Sequence, residues 1–324
     1  MKQLDDLKKA FEKYLFQQIP DKEPRYLYQP LRYILQNGGK RIRPLLVLLA
    51  TQSFGKYFEE SLGGAASIEI FHNFTLIHDD IMDKAEIRRG KPSVHTKWNE
   101  NTAILSGDTM MILAYKMLEI YPEPVFKQLV TLLNQTALEV CEGQQMDMDF
   151  EQRNDVTINQ YLEMIRLKTA VLLGTALKFG AIIAQTDENN RKNIAQFGIH
   201  IGMAFQIQDD YLDVYADAGK FGKKTGGDII DKKKTFLYLS ALEKAKAADR
   251  ERLIELYNSN QVDTEKLIQQ VVQIFDAYKV AESAQQKINF YTRKSMDYLH
   301  KLDITEKEKK MWQKFAYDLM HRIH

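Results

Sequence analysis

Apolar residues recur at intervals of three and four along most of this chain, and almost nowhere at two. "ILSGDTMMILAYKMLEIY" (104–121) and "VFKQLVTLLNQTALEVCEGQQMDM" (125–148) show the pattern. "NRKNIAQFGIHIGMAFQIQDDYLDVYAD" (190–217) and "EKLIQQVVQIFDAYKVAESAQQKINFY" (265–291) repeat it. That period lays apolar groups along one face of an α-helix. Seven prolines and 16 glycines are few for 324 residues, and they cluster, which leaves long windows for helices. The expected fold class is all-α, a large bundle of ten or more helices. Breaks are expected near Pro20–Pro24, Gly38–Gly39, Gly90–Pro92, Pro122–Pro124, Asn154–Asp155, Asp187–Asn190 and Gly219–Gly227. No stretch rich in Gly, Ser or Pro divides the chain, so residues 1–324 are expected to form one domain. Several helices are apolar around most of their circumference, as central helices of a bundle are.

Composition narrows the function classes. With 45 basic and 44 acidic residues, the net charge gives no support to nucleic-acid binding by bulk charge. One cysteine, Cys141, lies within an apolar-periodic segment and is expected to be a small buried hydrophobe. A single thiol makes no internal disulfide and suits a reducing cytosol. The first 20 residues are charged throughout and lack the apolar core of a signal peptide. No apolar run approaches the roughly 20 residues of a membrane span. A soluble, cytoplasmic protein is the expectation.

Against that background "LIHDDIMDKAEIRRGKP" (76–92) stands out. Asp79, Asp80 and Asp83 end a run that otherwise reads as buried. On a helix Asp79 and Asp83 share a face, one turn apart. Carboxylates gathered in a partly dehydrated cleft need positive compensation. Oxygen-only ligands suit Mg²⁺, which takes one or two carboxylates together with waters and phosphate oxygens. The motif recurs at Asp209, Asp210 and Asp213 in "QIQDDYLDVYAD", again at the end of an apolar helix.

Basic residues follow both copies: Arg88 and Arg89 after the first, then Lys220, Lys223, Lys224, Lys232, Lys233 and Lys234 after the second. Two acidic helix faces and two basic loops suggest one cavity in which metals bridge carboxylates to an anion such as a diphosphate. In "QNGGKRIRPLLVLLA" (36–50), a helix ends at Gly38–Gly39 and the next starts near Pro44. That places Lys40, Arg41 and Arg43 at a helix N-terminus, where free N–H groups already favour anions. A second diphosphate pocket is expected there. His72 lies seven residues before Asp79 and shares its face. His78 reads as structural.

These motifs resemble the trans-isoprenyl diphosphate synthases, the family that includes farnesyl and geranylgeranyl diphosphate synthases. The resemblance runs from "GGKRIRP" through "FHNFTLIHDDIMD", "RRGKPSVH", "EGQQMDMDF", "RLKTAVLL" and "AFQIQDDYLD" to "GGDIIDKKKT". Beyond about Leu237 it is only general helical character. It implies a single isoprenoid-synthase bundle around a central cavity. It also implies a prenyltransferase reaction, in which an allylic diphosphate ionises and the double bond of isopentenyl diphosphate attacks the allyl cation.

By the same resemblance, Asp79 and Asp83 would hold two Mg²⁺ ions and Asp209 a third, with Asp80 and Asp213 in support. Arg88, Lys168, Lys223 and Lys233 would grip the allylic diphosphate. Lys40, Arg43, His72 and Arg89 would hold isopentenyl diphosphate. Thr169 and Gln206 would face the reacting carbons beside Lys168, and Gln144 and Asp147 would line the same cleft. Released diphosphate would take the proton. Phe74 and Thr75 would floor the chain pocket, with Phe71 a deeper stop. One aromatic at that floor is the geranylgeranyl (C20) pattern, with farnesyl (C15) next. A homodimer is implied. A terpene cyclase and a subunit of a heteromeric synthase are the alternative readings. The first would not need the Lys40–Arg43 site, and the second would lack the aspartates that are intact here.

Overall fold

The apolar period becomes helix almost wherever it occurs. The computed structural model describes residues 2–216, 226–259 and 263–320. In order the helices are α1 (Lys2–Gln18), α2 (Arg25–Gln36), α3 (Ile42–Ser53), α4 (Leu62–Met82), α5 (Val94–Lys97) and α6 (Glu100–Lys116). Then come α7 (Glu123–Gln152), α8 (Ile158–Ile165), α9 (Val171–Ile183), α10 (Glu188–Tyr215) and α11 (Gly227–Ile230). The rest are α12 (Phe236–Lys244), α13 (Ala247–Asn258), α14 (Thr264–Ala277), α15 (Val280–His300) and α16 (Glu306–Met320). The fold is all-α. The only strands among the described residues are two of two residues each, Ile87–Arg88 and Lys91–Pro92. No helix of the described residues is long and apolar enough to cross a membrane.

Two compact units are present. The first comprises Met1–Asn134 and Thr175–Lys192, the second Gln135–Gly174 and Asn193–His324. The chain changes unit inside α7, α9 and α10 rather than at a linker.

In the first unit α4 is central. It packs on α1, α2, α3, α5 and α6. That accounts for its nearly unbroken buried run, including Ala65, Ala66, Ile68, Ile70, Phe71 and Ile77. Each large apolar side chain buried there stabilises the fold by about 1.5–3 kcal/mol. A charge at Ile70 would break the packing on several sides at once. In the second unit α12 plays this part. Phe236, Leu237, Tyr238, Leu239, Ala241 and Leu242 are all buried, and α8, α13, α14 and α15 pack around them.

Helix starts follow local chemistry. Asn99 caps α6 by accepting from the Thr102 N–H at 2.8 Å. Thr157 and Gln160 form a capping box on α8.

One window divides and one expectation needs correction. The window 265–291 forms two helices, α14 and α15, because the chain breaks at Tyr278–Lys279, where Lys279 takes a left-handed φ of 52°. Nothing in the apolar period marks that turn. Cys141 is exposed rather than buried. The buried stripe of α7 runs through Val125, Leu129, Leu133, Thr136, Val140 and Phe150, and Cys141 falls one position off it. A small apolar residue carries too little period signal to be assigned a face.

Candidate active site

The first unit gathers the cations around "GGKRIRP" into a pocket of about 490 Å³, lined by Asn37, Gly39, Lys40, Arg41, Ile42, Arg43, Glu69, His72 and Arg89. The four residues expected at isopentenyl diphosphate are therefore brought together. Arg41 does a different job from its neighbours. It is buried and pairs with Glu69 at 2.5 Å and Glu12 at 3.3 Å, and it donates to the Leu35 carbonyl. Breaking such a pair on one side costs roughly 3–5 kcal/mol.

Arg43 donates from Nη1 to His72 Nε2 at 3.0 Å. Burial pushes the Arg43 guanidinium down to about 10, and Glu69 opposes the shift. Burial, then Arg43 and the other arginines, hold His72 well below its ordinary value, so its imidazole is neutral. Nε2 then accepts from Arg43 and Nδ1 carries the proton.

A hairpin delivers the two arginines. Ile87 pairs with Pro92 and Arg88 with Lys91, leaving Arg89 and Gly90 as the two-residue turn. Both have positive φ, 54° and 75°. A two-residue turn that matches strand twist requires this, and glycine supplies it without steric cost. From the turn Arg89 donates to the Gly38 carbonyl. Arg88 reaches back to Asp80 Oδ1, with Nε at 2.9 Å.

The first acidic motif closes α4. Asp79 is half-buried, Asp80 is 1% exposed, and Asp83 is the exposed C-cap residue. Arg88 occupies Asp80 Oδ1, and the buried Oδ2 has no hydrogen-bond partner among the described residues. No three His, Cys, Asp or Glu side chains converge as a metal cage among the described residues. An all-carboxylate donor set with an orphaned buried oxygen fits a hydrated hard cation such as Mg²⁺, whose bound water can satisfy Oδ2.

The second unit holds a pocket of about 150 Å³. Its lining includes Asp147, Tyr161, Lys168, Thr169, Gln206, Asp210, Asp228 and Lys233. Lys168 and Thr169 sit in a five-residue π-turn, Arg166–Ala170, between α8 and α9. Such turns swell the helix and redirect side chains. Close packing holds the turn from two sides. A Cβ on Gly143 of α7 would lie 2.3 Å from the Lys168 nitrogen, and one on Gly202 of α10 would lie 2.9 Å from Ala170 Cα. Only a residue without a side chain lets these backbones approach. Lys168 Nζ donates to Asp147 Oδ2 at 2.5 Å. Thr169 Oγ1 donates to Gln206 Oε1 at 3.3 Å.

The second acidic motif divides its labour. Asp209 is exposed. Asp213 Oδ2 accepts the Asp228 N–H at 2.9 Å. Asp210, 5% exposed, accepts from the Tyr161 hydroxyl, from Gln206 Nε2 at 3.3 Å and from the Phe236 N–H at 3.3 Å. Burial pushes Asp210 up to about 7, although the Tyr161 hydrogen bond opposes it. Burial and then Asp213 raise Asp228 to about 6, against Lys233 3.9 Å away.

The basic stretch after this motif is not one anion cradle. Lys234 Nζ donates to the carbonyls of Phe150 at 2.7 Å, Glu151 at 3.1 Å and Arg153, so it serves the C-terminus of α7. Lys232 donates to the Ser259 carbonyl. Lys233 alone of the three combines exposure with a place at the pocket. Lys220, Lys223 and Lys224 lie outside the described residues. Gln144 lies on α7 but does not line this pocket.

Phe74 is half-buried between the rings of Phe71 and His78, at 5.7 and 4.8 Å. Phe71 is buried, and Thr75 Oγ1 donates to the His72 carbonyl at 2.8 Å. His78, expected to be structural, packs over Gly107 and bonds the Ile104 carbonyl at 3.2 Å.

Sequence reasoning missed Glu69, Tyr161 and Asp228. Glu69 could have been found as a lone acid in an apolar run, three residues before His72 and so on its face. Tyr161 carries no local signal, and Asp228 lies inside the quoted GGDIIDKKKT without having been assigned a role.

Comparison with known proteins accords with this geometry. The chain matches the polyprenyl synthetase family over residues 24–275. It is 40% identical over 288 residues to the short chain isoprenyl diphosphate synthase of Methanothermobacter thermautotrophicus, covering 88% of each chain. It is 42% identical over 233 residues to the geranylgeranyl diphosphate synthase of Methanosarcina mazei, covering 71% of this chain and 72% of that one. A crystal structure of a geranylgeranyl pyrophosphate synthase superposes with a TM-score of 0.94 at 43% identity, covering 99% of both chains. Sequence motif, fold and relatives agree, and the chain belongs to the polyprenyl synthetase family, the trans-isoprenyl diphosphate synthases, as a prenyltransferase.

Proposed function

We propose that this chain condenses isopentenyl diphosphate with allylic diphosphates, with geranylgeranyl diphosphate (C20) as its main product and farnesyl diphosphate (C15) the next choice. The observation that carries the reading is the first unit's pocket, where Lys40, Arg43 and Arg89 surround a neutral His72. A cyclase, which takes one diphosphate, has no use for it. The C20 assignment is supported by the Methanosarcina mazei relative and by one aromatic, Phe74, beside Thr75.

In this reading Asp79, Asp83 and Asp209 hold the Mg²⁺ ions, three with substrate bound, and Asp80 and Asp213 support them. When bound, Mg²⁺ neutralises charge on the leaving diphosphate. Arg88, Lys168 and Lys233 donate to its outer oxygens, with Lys223 as a fourth, and Asp147 keeps Lys168 aimed. The allylic C–O bond breaks to give an allyl cation and diphosphate. The Gln206 carbonyl and Thr169 hydroxyl dipoles face the cation. The isopentenyl double bond attacks, a C–C bond forms, and the proton lost from isopentenyl C2 passes to the released diphosphate. Residues 1–324 are read as one isoprenoid-synthase domain, because no stretch rich in Gly, Ser or Pro divides the chain. A homodimer is supported by an apolar stripe on α6, where Ile104, Leu105 and Ile112 are 44%, 58% and 67% exposed.

The test is chromatography of dephosphorylated products after incubation with isopentenyl diphosphate and each allylic starter in turn. A C20 alcohol is expected. Diphosphate release without isopentenyl diphosphate would instead indicate a cyclase, and no turnover by the chain alone a non-catalytic subunit.

A further inference from the structure

Three groups around Asp210 are fixed in their hydrogen-bonding sense. The Tyr161 hydroxyl and the Phe236 N–H both meet Oδ2, and an N–H can only donate. Burial and Asp210 hold the Tyr161 phenol far above its ordinary value, so it stays protonated. Oδ1 is left for Gln206, whose Nε2 lies 3.3 Å away. Against the carboxylate form of Asp210, a side-chain amide turned the other way would set its oxygen against a carboxylate oxygen, acceptor on acceptor. Gln206 therefore presents Nε2 to Asp210 and Oε1 to Thr169 and the pocket.

From this geometry we infer that Asp210 is a positioning residue rather than a metal ligand: with Tyr161 it fixes the direction of the Gln206 amide, so that a carbonyl oxygen and not an NH₂ group faces the reacting carbons. The inference rests on the prenyl-transfer reading above. Its energetic logic is that of a preorganised dipole. An amide free to rotate would spend part of its time with the positive end toward a developing cation, which opposes ionisation.

Asp210→Asn tests this through a reversal of sense. The two donors at Oδ2 keep the asparagine oxygen there, so its NH₂ must replace Oδ1. Two NH₂ groups then meet, and the Gln206 amide turns over, putting NH₂ toward Thr169 and the pocket. A nearly isosteric change thereby reverses one dipole.

The expected result is a kcat lower by about 10²-fold, with both KM values within about threefold of wild type. A prenyl tertiary amine, protonated as a mimic of the allyl cation, should bind about tenfold more weakly in the presence of inorganic diphosphate, while its neutral carbon isostere binds as before. In a Gln206→Ala background Asp210→Asn should change kcat by less than about threefold, because its route of action is gone. An unchanged amine-to-isostere ratio, or multiplicative effects of the two substitutions, overturns the assignment.

If Asp210→Asn loses its fold at assay temperature, Tyr161→Phe carries the same cycle. A loss of kcat that vanishes in Gln206→Ala supports the pair, and no loss, or a loss that persists, overturns it. The amine ratio is read by calorimetry without turnover. A wild-type protein that makes no prenyl product would sink the proposed function and still leave the amide direction measurable.

Discussion

Asp80 and Asp210 hold the same place in two copies of one motif, and the protein solves the same problem for each by different means. Both are almost fully buried at the end of a long apolar helix. Asp80 is met by a cation, because the hairpin at Arg89–Gly90 sends Arg88 back to Oδ1. Asp210 is met by neutral donors: a phenol, an amide and a backbone N–H. A guanidinium compensates charge directly, whereas dipoles do so only in part, and burial holds Asp210 up at about 7. In each motif the outer aspartates are more open than the middle one. Identical spacing therefore hides two architectures, one built on an ion pair and one on a hydrogen-bond network.

Outer and middle positions should separate most sharply under alanine. Asp79→Ala, Asp83→Ala or Asp209→Ala is expected to lower kcat by roughly 10³-fold or more, with circular dichroism and melting temperature nearly unchanged. Near-normal turnover in any of the three would end the metal-holding role of that residue.

Asp80→Ala should do the reverse in kind, costing stability. It leaves Arg88 without its partner at a site where the Arg88 side chain is 30% exposed. Solvent screens that loss, so about 2 kcal/mol is expected from urea unfolding rather than the larger cost of a fully buried pair. An unaltered unfolding midpoint would show that the ion pair contributes nothing and would dissolve the contrast with Asp210.

Further up α4, Phe74 and Thr75 are the proposed floor of the chain pocket. Phe74→Ala in ordinary core would cost about 3–5 kcal/mol. If the ring caps a tunnel, the loss is smaller and the main product lengthens by one or more isoprene units, and Thr75→Phe shortens it toward C15 or C10. Chromatography of products and a melting curve read both. Unchanged chain length with a sharply lower melting temperature would make Phe74 plain core and remove the chief residue-level support for C20.

The smallest expected effect is in pH. His72 is held below its ordinary value, so at pH under about 6.5 the unfolded chain takes up a proton that the folded chain refuses. The unfolded state then binds more protons, and stability falls as pH drops through that region, by at most about 1.4 kcal/mol per pH unit. His72→Gln keeps a polar group beside Arg43 and should flatten this limb in urea melts between pH 7.5 and 5.5. A limb that survives the substitution belongs to other groups.

Much of the architecture is legible in the sequence. The apolar period marked the helices, and the Gly and Pro clusters marked most of their ends. The breaks at Gly38–Gly39 and Gly90–Pro92 became the turns that carry the cations. Lys40, Arg43 and Arg89 did assemble in one pocket with His72, because GGKRIRP and RRG place their charges at a helix start and a hairpin turn and α4 carries His72 beside them. The basic run Lys232–Lys234 misled. Charge alone cannot tell a lysine that meets a ligand from one that serves helix carbonyls, and Lys234 finds its partner Phe150 84 residues away.

By itself the sequence determined the helical class, the paired acidic motifs and the family. These depend on spacing within one or two turns of chain, where periodicity and charge act locally. Only the tertiary structure decided that Arg41 is a buried strut, that Lys168 and Thr169 ride a π-turn clamped at Gly143 and Gly202, and that Tyr161 meets Asp210 across 49 residues. Those outcomes depend on which backbones can approach and which donors remain when distant helices pack. Close packing and the cost of an unsatisfied buried polar group select the partner there, and neither leaves a mark at any single position of the chain.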